Sequence, residues 1–480
     1  MSIKLLIMGA GTAGKMVVGE LCAHPESGLD PVAFVDDDPA KQGTEISGIP
    51  VAGGHKDIPR LLKEFDADEI LIALPSVHGR ITRDIMATCR SLRVRFRIVP
   101  PILEIVRGDI RLDLGQIRTV KPEDLLGRQS VEPDRELIAE AYAGKRILVT
   151  GAGGSIGGEL SRQLLDADPE RLVLLGRGEN SLFETGVRLE NECPGARFEL
   201  ALTDVRYGEG LRRVMERVKP QIILHAAAHK HVTFMEQYPE EAVFNNILGT
   251  RDLVTAAEAV GAERFVMLST DKAVNPSGVM GASKRVAELV LGERAAAGSP
   301  VRLMAVRFGN VLGSRGSVVP LFLRQIAAGG PVTVSDPDVC RYFMTVKEAA
   351  MLVLKAGAVG TGGEVFILDM GEQIRIQDLA RDLITLSGYR PEEDIAIRIT
   401  GLKPGEKVRE ELTHDFEELS PTSLPKIRTA RRVRGETVPL EPVLKKLAAQ
   451  AASVDRAGIR RTLMELLPEA DIPTGEEAGV

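Results

Sequence analysis

The densest chemistry in the chain is Ser269-Thr-Asp-Lys272, which follows the apolar run Arg264–Leu268 and precedes Asn275-Pro-Ser-Gly-Val-Met-Gly-Ala-Ser-Lys284. Hydroxyl, carboxyl and amine groups are the ones that move protons, and α/β enzymes hold such groups at strand ends above a nucleotide site. A nucleotide site is signalled upstream. Gly151-x-x-Gly154-x-x-Gly157 follows the apolar run Arg146–Thr150. Glycines at that spacing allow a tight turn and let backbone amides approach a pyrophosphate at the positive end of the next helix. This predicts a dinucleotide. The following strand ends Leu175-Gly-Arg-Gly-Glu179, without the acidic residue that usually holds the ribose hydroxyls. Arg177 suits a 2′-phosphate and leans toward NADP, while Glu179 keeps NAD open. Asp204, after the third strand, is placed to accept from the adenine amino group.

These groups need a scaffold, and the chain repeats one plan twice: apolar run, glycine-rich turn, amphipathic helix. The first copy is Ile3–Met8 with Gly9-Ala-Gly-Thr-Ala-Gly14. Further β-rich runs alternate with helical stretches, at Val32–Val35, Glu69–Leu74 and Arg95–Val99, then at Leu172–Leu175, Ile222–His225, Arg264–Leu268 and Arg302–Arg307. Such alternation predicts an α/β protein with two Rossmann-like, doubly wound parallel-sheet domains in tandem, the second with a smaller C-terminal substrate-binding part. The polar stretch Arg111–Gly144, with Lys121-Pro122 and Glu132-Pro133, is the expected connection. The division is therefore residues 1–125, a linker over 126–143, a cofactor and substrate domain over 144–435, and C-terminal helices and tail over 436–480. Glu441–Leu467 has a helical pattern, and Pro468–Val480 is an acidic tail. In the first domain Asp36 ends the second strand, where it could bind a ribose.

The 480 residues exceed what one core usually serves, and a net charge of −7 gives no nucleic-acid footprint. Cys22, Cys89, Cys193 and Cys340 lie far apart with no C-x-x-C pair, which argues against a disulfide framework or zinc and reads as small buried hydrophobes. His24, His55 and His78 have no ligand spacing, so no metal is expected. No run approaches the roughly 20 apolar residues of a membrane span, and no signal core opens the chain, so a cytoplasmic protein is expected.

Six blocks now make the pattern specific: His225-Ala-Ala-Ala-His-Lys-His231 with Met235-Glu236, Asn245-Asn-Ile-Leu-Gly-Thr250, Ser269-Thr-Asp-Lys-Ala-Val-Asn-Pro276, Arg307-Phe-Gly-Asn-Val-Leu-Gly-Ser-Arg-Gly-Ser317, Arg341-Tyr-Phe-Met344 and Pro404-Gly-Glu-Lys407. With them the chain resembles the nucleotide-sugar 4,6-dehydratases of the extended short-chain dehydrogenase/reductase superfamily. The resemblance is to the CapD-like polysaccharide-biosynthesis branch, which includes UDP-N-acetylglucosamine 4,6-dehydratases. Phe34-Val-Asp-Asp-Asp38, Ile72-Ala-Leu-Pro75 and Asp124-Leu-Leu-Gly-Arg128 resemble the accessory domain of that branch, in which many relatives carry transmembrane helices ahead of it; this chain starts at the accessory domain.

The resemblance implies an internal redox cycle on a UDP-N-acetylhexosamine. Carbon 4 is oxidised, water leaves across carbons 5 and 6, and the hydride returns to carbon 6, so NADP or NAD is regenerated each turn. Asp271 is then the acid for the carbon 6 hydroxyl and Lys272 the base at carbon 5; burial, or proton sharing between them, would push both toward their neutral forms. Thr270 would bind the carbon 4 oxygen, Lys284 the nicotinamide ribose, and Asn246 would support Lys284. The superfamily's usual tyrosine is Met280, which cannot exchange a proton and marks enzymes of this branch expected to keep the carbon 5 configuration. The cofactor would be lined by Gly151, Gly154, Ser155, Ile156, Gly157, Arg177, Asp204, Val205, Ala226 and Ala227. Arg315 and Arg341 suit the two phosphates, Asn310 the diphosphate, and Arg409 closure over the nucleotide, while His229, Lys230 and Glu236 would surround the sugar. A homo-oligomer is expected. Two other readings stand beside this one: a UDP-hexose 4-epimerase, which would rely on the tyrosine absent at Met280, and a catalytically silent nucleotide-binding scaffold.

Overall fold

Runs such as Leu5–Met8 and Ile147–Thr150 offer water no polar side, and the computed structural model buries every residue of both. It describes residues 2–73, 85, 88, 92, 94–99, 122–126, 134–432 and 439–473. Cys89, His78, residues 74–75 and 127–128 of the accessory-domain motifs, residues 127–133 of the expected linker and the last residues of the tail lie outside these; the rest of that linker is not a plain connection but carries the helix Arg135–Tyr142, with Ile138, Ala141 and Tyr142 buried.

The chain divides into two compact units, each with its own sheet. In the first, β1 (Ile3–Met8), β2 (Leu29–Val35), β3 (Glu45–Ile46), β4 (Ile49–Gly53), β5 (Glu69–Ile72) and β6 (Arg95–Ile98) form a sheet of order β3-β4-β2-β1-β5-β6. All its pairings are parallel except the β3-β4 hairpin. Asp36, at the end of β2, accepts hydrogen bonds from Ala10 N (2.8 Å) and Asp38 N (2.9 Å) and pairs with Lys41 (3.0 Å). Its carboxylate thus ties the glycine turn to the strand end.

The second unit contains β7 (Arg146–Thr150), β8 (Arg171–Gly176), β9 (Glu199–Leu202), β10 (Ile222–His225), β11 (Arg264–Leu268) and β12 (Arg302–Arg307). They run parallel in the order β9-β8-β7-β10-β11-β12, extended by Val365–Leu368 and closed by the antiparallel strands Ile427–Arg432 and Glu417–Pro421. That is a doubly wound order with its switch point between β7 and β10, where ligands of such sheets bind beyond the carboxyl ends. The three last strands of this sheet are not among the expected ones: Val365–Leu368 is a short apolar run, and Ile427–Arg432 and Glu417–Pro421 carry charged and polar residues along their length.

The expected helix Glu441–Leu467 is two helices, Leu440–Ala452 and Arg456–Leu466. The break falls at Val454, whose φ of 56° is left-handed, and Asp455 caps the second helix by accepting from Gly458 N. Leu440, Leu444, Leu447, Ile459 and Leu463 share one core with Met280 and Val286. The cysteines also differ from expectation: Cys22 is exposed, and Cys193 and Cys340 are half-buried. Cys193 lies at the C-cap of helix Glu179–Glu192, where the side chain leaves the packed face. Among the described residues no helix is long and apolar enough to cross a membrane, and no group of three His, Cys, Asp or Glu side chains could hold a metal ion.

One ionic group is wholly enclosed behind β11 and β12. Arg307 donates to Glu288 Oε2 and Glu417 Oε2, both at 2.8 Å, and Ser269 Oγ donates to Glu288 Oε1 at 2.6 Å. Burial opposes ionisation of Glu288, but Arg307 outweighs it and holds the carboxyl at about 2. Its contribution is complete above the ordinary value of 4.5 and is lost as the pH falls toward about 2. Arg307→Met keeps the volume but leaves two buried carboxylates without this cation, so a loss of about 3–5 kcal/mol in urea unfolding at neutral pH is expected.

Candidate active site

The glycine turn is closed by contacts no side chain would permit. Gly151 takes a φ of 65°, and a Cβ there would lie 2.6 Å from Ala227 N; a Cβ on Gly157 would lie 2.3 Å from Gly151 O. The helix Ser155–Leu165 begins directly after Gly154, so its free amides face the space above the turn. Ala226 N donates to Thr150 O and Ala227 N to Thr150 Oγ1, which stitches β10 to the turn. Ile156 is partly buried on the first turn of that helix, and Val205 is buried and packs against Gly249. This cradle fits a dinucleotide pyrophosphate.

At the adenosine end of such a ligand, Arg177 is exposed and 3.8 Å from Asp204. Asp204 is already gripped by Arg206 at 2.8 Å, which keeps its carboxyl below the ordinary range against burial. Its Oδ2 takes both guanidinium contacts of Arg206, and its Oδ1 accepts from Arg206 N at 3.0 Å.

Deeper in, the chain forms a π-helical turn at Val243–Leu248, a geometry common where a functional side chain is re-aimed. It carries Asn246, whose Oδ1 accepts from His229 N (2.8 Å) and whose Nδ2 donates to His229 O (3.0 Å) and Ser283 Oγ (2.9 Å). Ser283 is next to Lys284, so Asn246 supports the helix Val279–Ala296 beside the lysine. Burial pushes Lys284 down to about 8, and burial together with Lys284 pushes His225 down to about 3. A neutral His225, at the end of β10, bridges Thr150 at the end of β7 (2.7 Å) and Thr250 in the helix Gly249–Ala259 (3.0 Å). Met280 is buried in the core made with the C-terminal helices.

The reactive triplet follows β11. Thr270 Oγ1 donates to Asp271 Oδ1 at 2.9 Å, and Lys272 Nζ lies 3.1 Å from Asp271 Oδ1, 3.1 Å from Asn310 Oδ1 and 3.2 Å from Glu410 Oε1. Asp271 is fully buried, whereas the Lys272 side chain keeps 21% of its surface open, so a ligand can reach it. Asp271 Oδ2 and Glu410 Oε2 are buried without a hydrogen-bond partner among the described residues. Burial, only partly opposed by Lys272 and reinforced by Glu410, raises Asp271 above the ordinary carboxyl range. The expected shift of Lys272 toward neutrality is not found. Burial does pull it down, but Asp271 and Glu410 outweigh that and hold the ammonium above its ordinary value. Glu410 is ionised below the ordinary range, because Lys272 and Arg341 outweigh its burial.

The residues expected to hold substrate fall into three groups. Asn310 and Arg341 join the cluster, Arg341 through Glu410 at 3.7 Å and Glu406 at 3.3 Å. Its guanidinium is therefore already committed to carboxylates. His229 and Lys230, with Arg177, His231, Phe234 and Tyr238, line a cleft of about 280 Å³. Lys230 Nζ donates to Arg315 O at 2.8 Å, and Arg315 reaches Gly153 O (3.2 Å) and Glu184 (3.0 Å), so it sits on the glycine turn. Glu236 does not turn to this cleft: its Oε1 accepts from Val279 N at 2.6 Å, capping the Lys284 helix, and Arg460 lies 3.4 Å from it. Arg409 is exposed, and the residue turned into the cluster is its neighbour Glu410. Glu410 went unrecognised because a glutamate three residues beyond Pro404–Lys407 reads as surface; a buried lysine needing a second counter-charge was the available signal.

Residues 147–432 match the family described as polysaccharide biosynthesis protein, and residues 2–100 match a CoA-binding domain. The chain is 43% identical over 477 residues to the probable polysaccharide biosynthesis protein EpsC of Bacillus subtilis, covering 99% of this chain and 78% of that one. It is 32% identical over 288 residues to the inverting UDP-N-acetylglucosamine 4,6-dehydratase of Campylobacter jejuni (58% of this chain, 82% of that one). It is equally 32% identical over 277 residues to the UDP-glucose 4-epimerase of Rickettsia prowazekii (56% and 78%). Among solved structures, Pen from Bacillus thuringiensis aligns with a TM-score of 0.56 at 33% identity, over 63% of this chain and 90% of that one.

Because a Cβ at 157 meets backbone, Gly157→Ala is expected to cost about 1–3 kcal/mol, read as a lower urea midpoint, and to weaken dinucleotide binding in a fluorescence titration. Unchanged binding would show that the turn does not seat the pyrophosphate.

Proposed function

This chain belongs to the polysaccharide biosynthesis protein family, and from that premise we propose that it is a nucleotide-sugar 4,6-dehydratase acting on a UDP-N-acetylhexosamine, with UDP-N-acetylglucosamine as the favoured substrate. The coarser character, an enzyme that transforms nucleotide sugars, is common to the dehydratase and the epimerase it resembles. The observation that carries the finer reading is Asp271: a buried carboxyl held above its ordinary range, with one oxygen unpartnered, beside a lysine still open to a ligand. A proton-bearing acid there suits departure of a hydroxyl.

The cofactor supplied to the cradle is NADP or NAD, whose nicotinamide, when bound, takes and returns a hydride. The ketone formed at carbon 4 acidifies the carbon 5 proton. Thr270 binds the carbon 4 oxygen and, through its 2.9 Å bond to Asp271, connects that oxygen to the acid. Asp271 protonates the carbon 6 hydroxyl as water leaves, and Lys272 works at carbon 5 once its own proton has been moved. Lys284 holds the nicotinamide ribose, and Asn246 fixes the helix beside it. Arg341, already paired with Glu406 and Glu410, shapes the Lys272 cluster, and Arg315 and Lys230, which meet at the glycine turn, stand beside the dinucleotide pyrophosphate. The division into residues 1–125, 126–143, 144–435 and 436–480 and assembly as a homo-oligomer belong to the same reading.

Epimerisation is the second reading, favoured by the equal likeness to an epimerase. It needs no acid at carbon 6 and leaves the Asp271–Lys272 pair without work. Incubation with UDP-N-acetylglucosamine separates the two by mass: loss of one water for the dehydratase, an isomer of unchanged mass for the epimerase. Asp271→Asn is expected to lower formation of the 4-keto product by about 10²–10⁴-fold while dinucleotide binding stays intact; wild-type turnover removes Asp271 from the mechanism. Met280→Tyr is expected to alter the carbon 5 configuration of the product, read by NMR, and an unchanged configuration ends its role as a stereochemical marker.

A further inference from the structure

Lys272 poses a difficulty that its neighbours resolve. Its ammonium is bracketed by Asp271 Oδ1 at 3.1 Å and Glu410 Oε1 at 3.2 Å, with Asn310 Oδ1 at 3.1 Å. Such a lysine rests charged, and a charged lysine is not a base. Of its two carboxylate neighbours, Asp271 has to arrive at the elimination carrying a proton. Asn310 is an amide and takes none. Glu410 is the remaining acceptor in contact, 4% exposed, with its second oxygen buried and unpartnered.

We infer that Glu410 is the positioning residue that makes Lys272 a base, by accepting its proton across the 3.2 Å contact before carbon 5 is deprotonated. The inference rests on the dehydratase reading. The proton passes from the Lys272 ammonium to the Glu410 carboxylate, leaving a neutral amine and a neutral carboxyl with no change in net charge. The amine takes the carbon 5 proton as the carbon 5–carbon 6 double bond forms and the carbon 6–oxygen bond breaks, and Asp271 gives its proton to the departing hydroxyl. When the hydride returns to carbon 6, Lys272 gives its proton back to carbon 5 and recovers one from Glu410. Asp271 gains its proton earlier, from the carbon 4 hydroxyl through Thr270 as carbon 4 is oxidised, so the water that leaves carries it and no external acid or base is consumed.

The groups facing Glu410 agree with a transient acceptor. Lys272 and Arg341, with Lys407 beyond them, hold it ionised at rest, so it is open to a proton but binds it only briefly; among the described residues Asp271, Glu406 on Arg341 and Glu411 on Lys407 are the other carboxylates beside these cations. Arg341 also pairs with Glu406, so its charge is divided and Glu410 is not locked in its ionised form.

Glu410→Gln keeps the shape and removes the acceptor. At neutral pH it is expected to lower kcat for the 4-keto product by about 10²–10⁴-fold with KM little changed, while carbon 4 is still oxidised. Reduced cofactor then accumulates in the absorbance, and solvent deuterium no longer enters carbon 5. The variant's rate rises with pH, as Lys272 surrenders its proton to solvent, and Glu410→Asp recovers part of the loss at neutral pH. A Glu410→Gln enzyme that eliminates at the wild-type rate or faster shows that Glu410 merely holds Lys272 charged and overturns the inference; loss of carbon 4 oxidation as well does the same. A measurement without substrate keeps this distinct from the dehydratase reading. In ¹⁵N-lysine-labelled protein the Lys272 signal is expected to titrate at lower pH in Glu410→Gln than in wild type, and an unmoved titration ends the proposed contact whatever the substrate. If wild-type protein dehydrates no UDP-N-acetylhexosamine while that titration moves, the dehydratase reading fails and the Lys272–Glu410 coupling stands.

Discussion

An ammonium drawn away from water must have its charge answered within a few ångströms. Around Lys272 that requirement recruits groups from three distant stretches of sequence: Asp271 at the end of β11, Asn310 just beyond β12, and Glu410 from the segment after Pro404–Lys407. The strand ends are fixed by the parallel register of β11 and β12, and Asp271 N is further tied to Phe308 O at 3.0 Å. The sheet thereby holds Asp271 and Asn310, while Glu410 comes from a segment outside it. Behind it, Arg307 and Glu288 anchor the same two strand ends from below, through Ser269, so the groups that meet a ligand rest on a second, closed ionic layer.

Competition between burial and charge decides the state of each member. Asp271 loses it, because one lysine is shared between two carboxylates and Asp271 is the more deeply enclosed. Glu410 wins it, having Arg341 as well. One carboxyl pushed toward its protonated form and one held toward its ionised form thus flank the same amine, an asymmetry that neighbouring elements impose and that neither residue has by itself.

Much of this was legible from sequence where the signal was local. Ile3–Met8, Arg146–Thr150, Ile222–His225, Arg264–Leu268 and Arg302–Arg307 are runs with apolar centres and charged or polar residues near their ends, and each is a strand with those bounds. The glycine turn was readable because close approach of backbone tolerates only one residue type. What escaped depended on distance. Glu410 takes its meaning from Lys272, 138 positions earlier, and Glu236 looked like a ligand for a sugar until Val279 N claimed it. Lys272 was expected to lose its charge on burial, because a second carboxylate close by cannot be seen in the linear text. Arg409 and Glu410 differ by one position, and only the folded chain tells which faces inward.

The helix bearing Met280 and Lys284 is roofed by the helices Leu440–Ala452 and Arg456–Leu466, and Asp471 N reaches back to Pro276 O at 2.9 Å. The catalytic helix therefore lacks its apolar cover until residues some 190 positions downstream have been synthesised. Removing residues 440–472 would strip Met280 and Val286 of that cover while leaving every strand of the nucleotide-binding sheet in the chain.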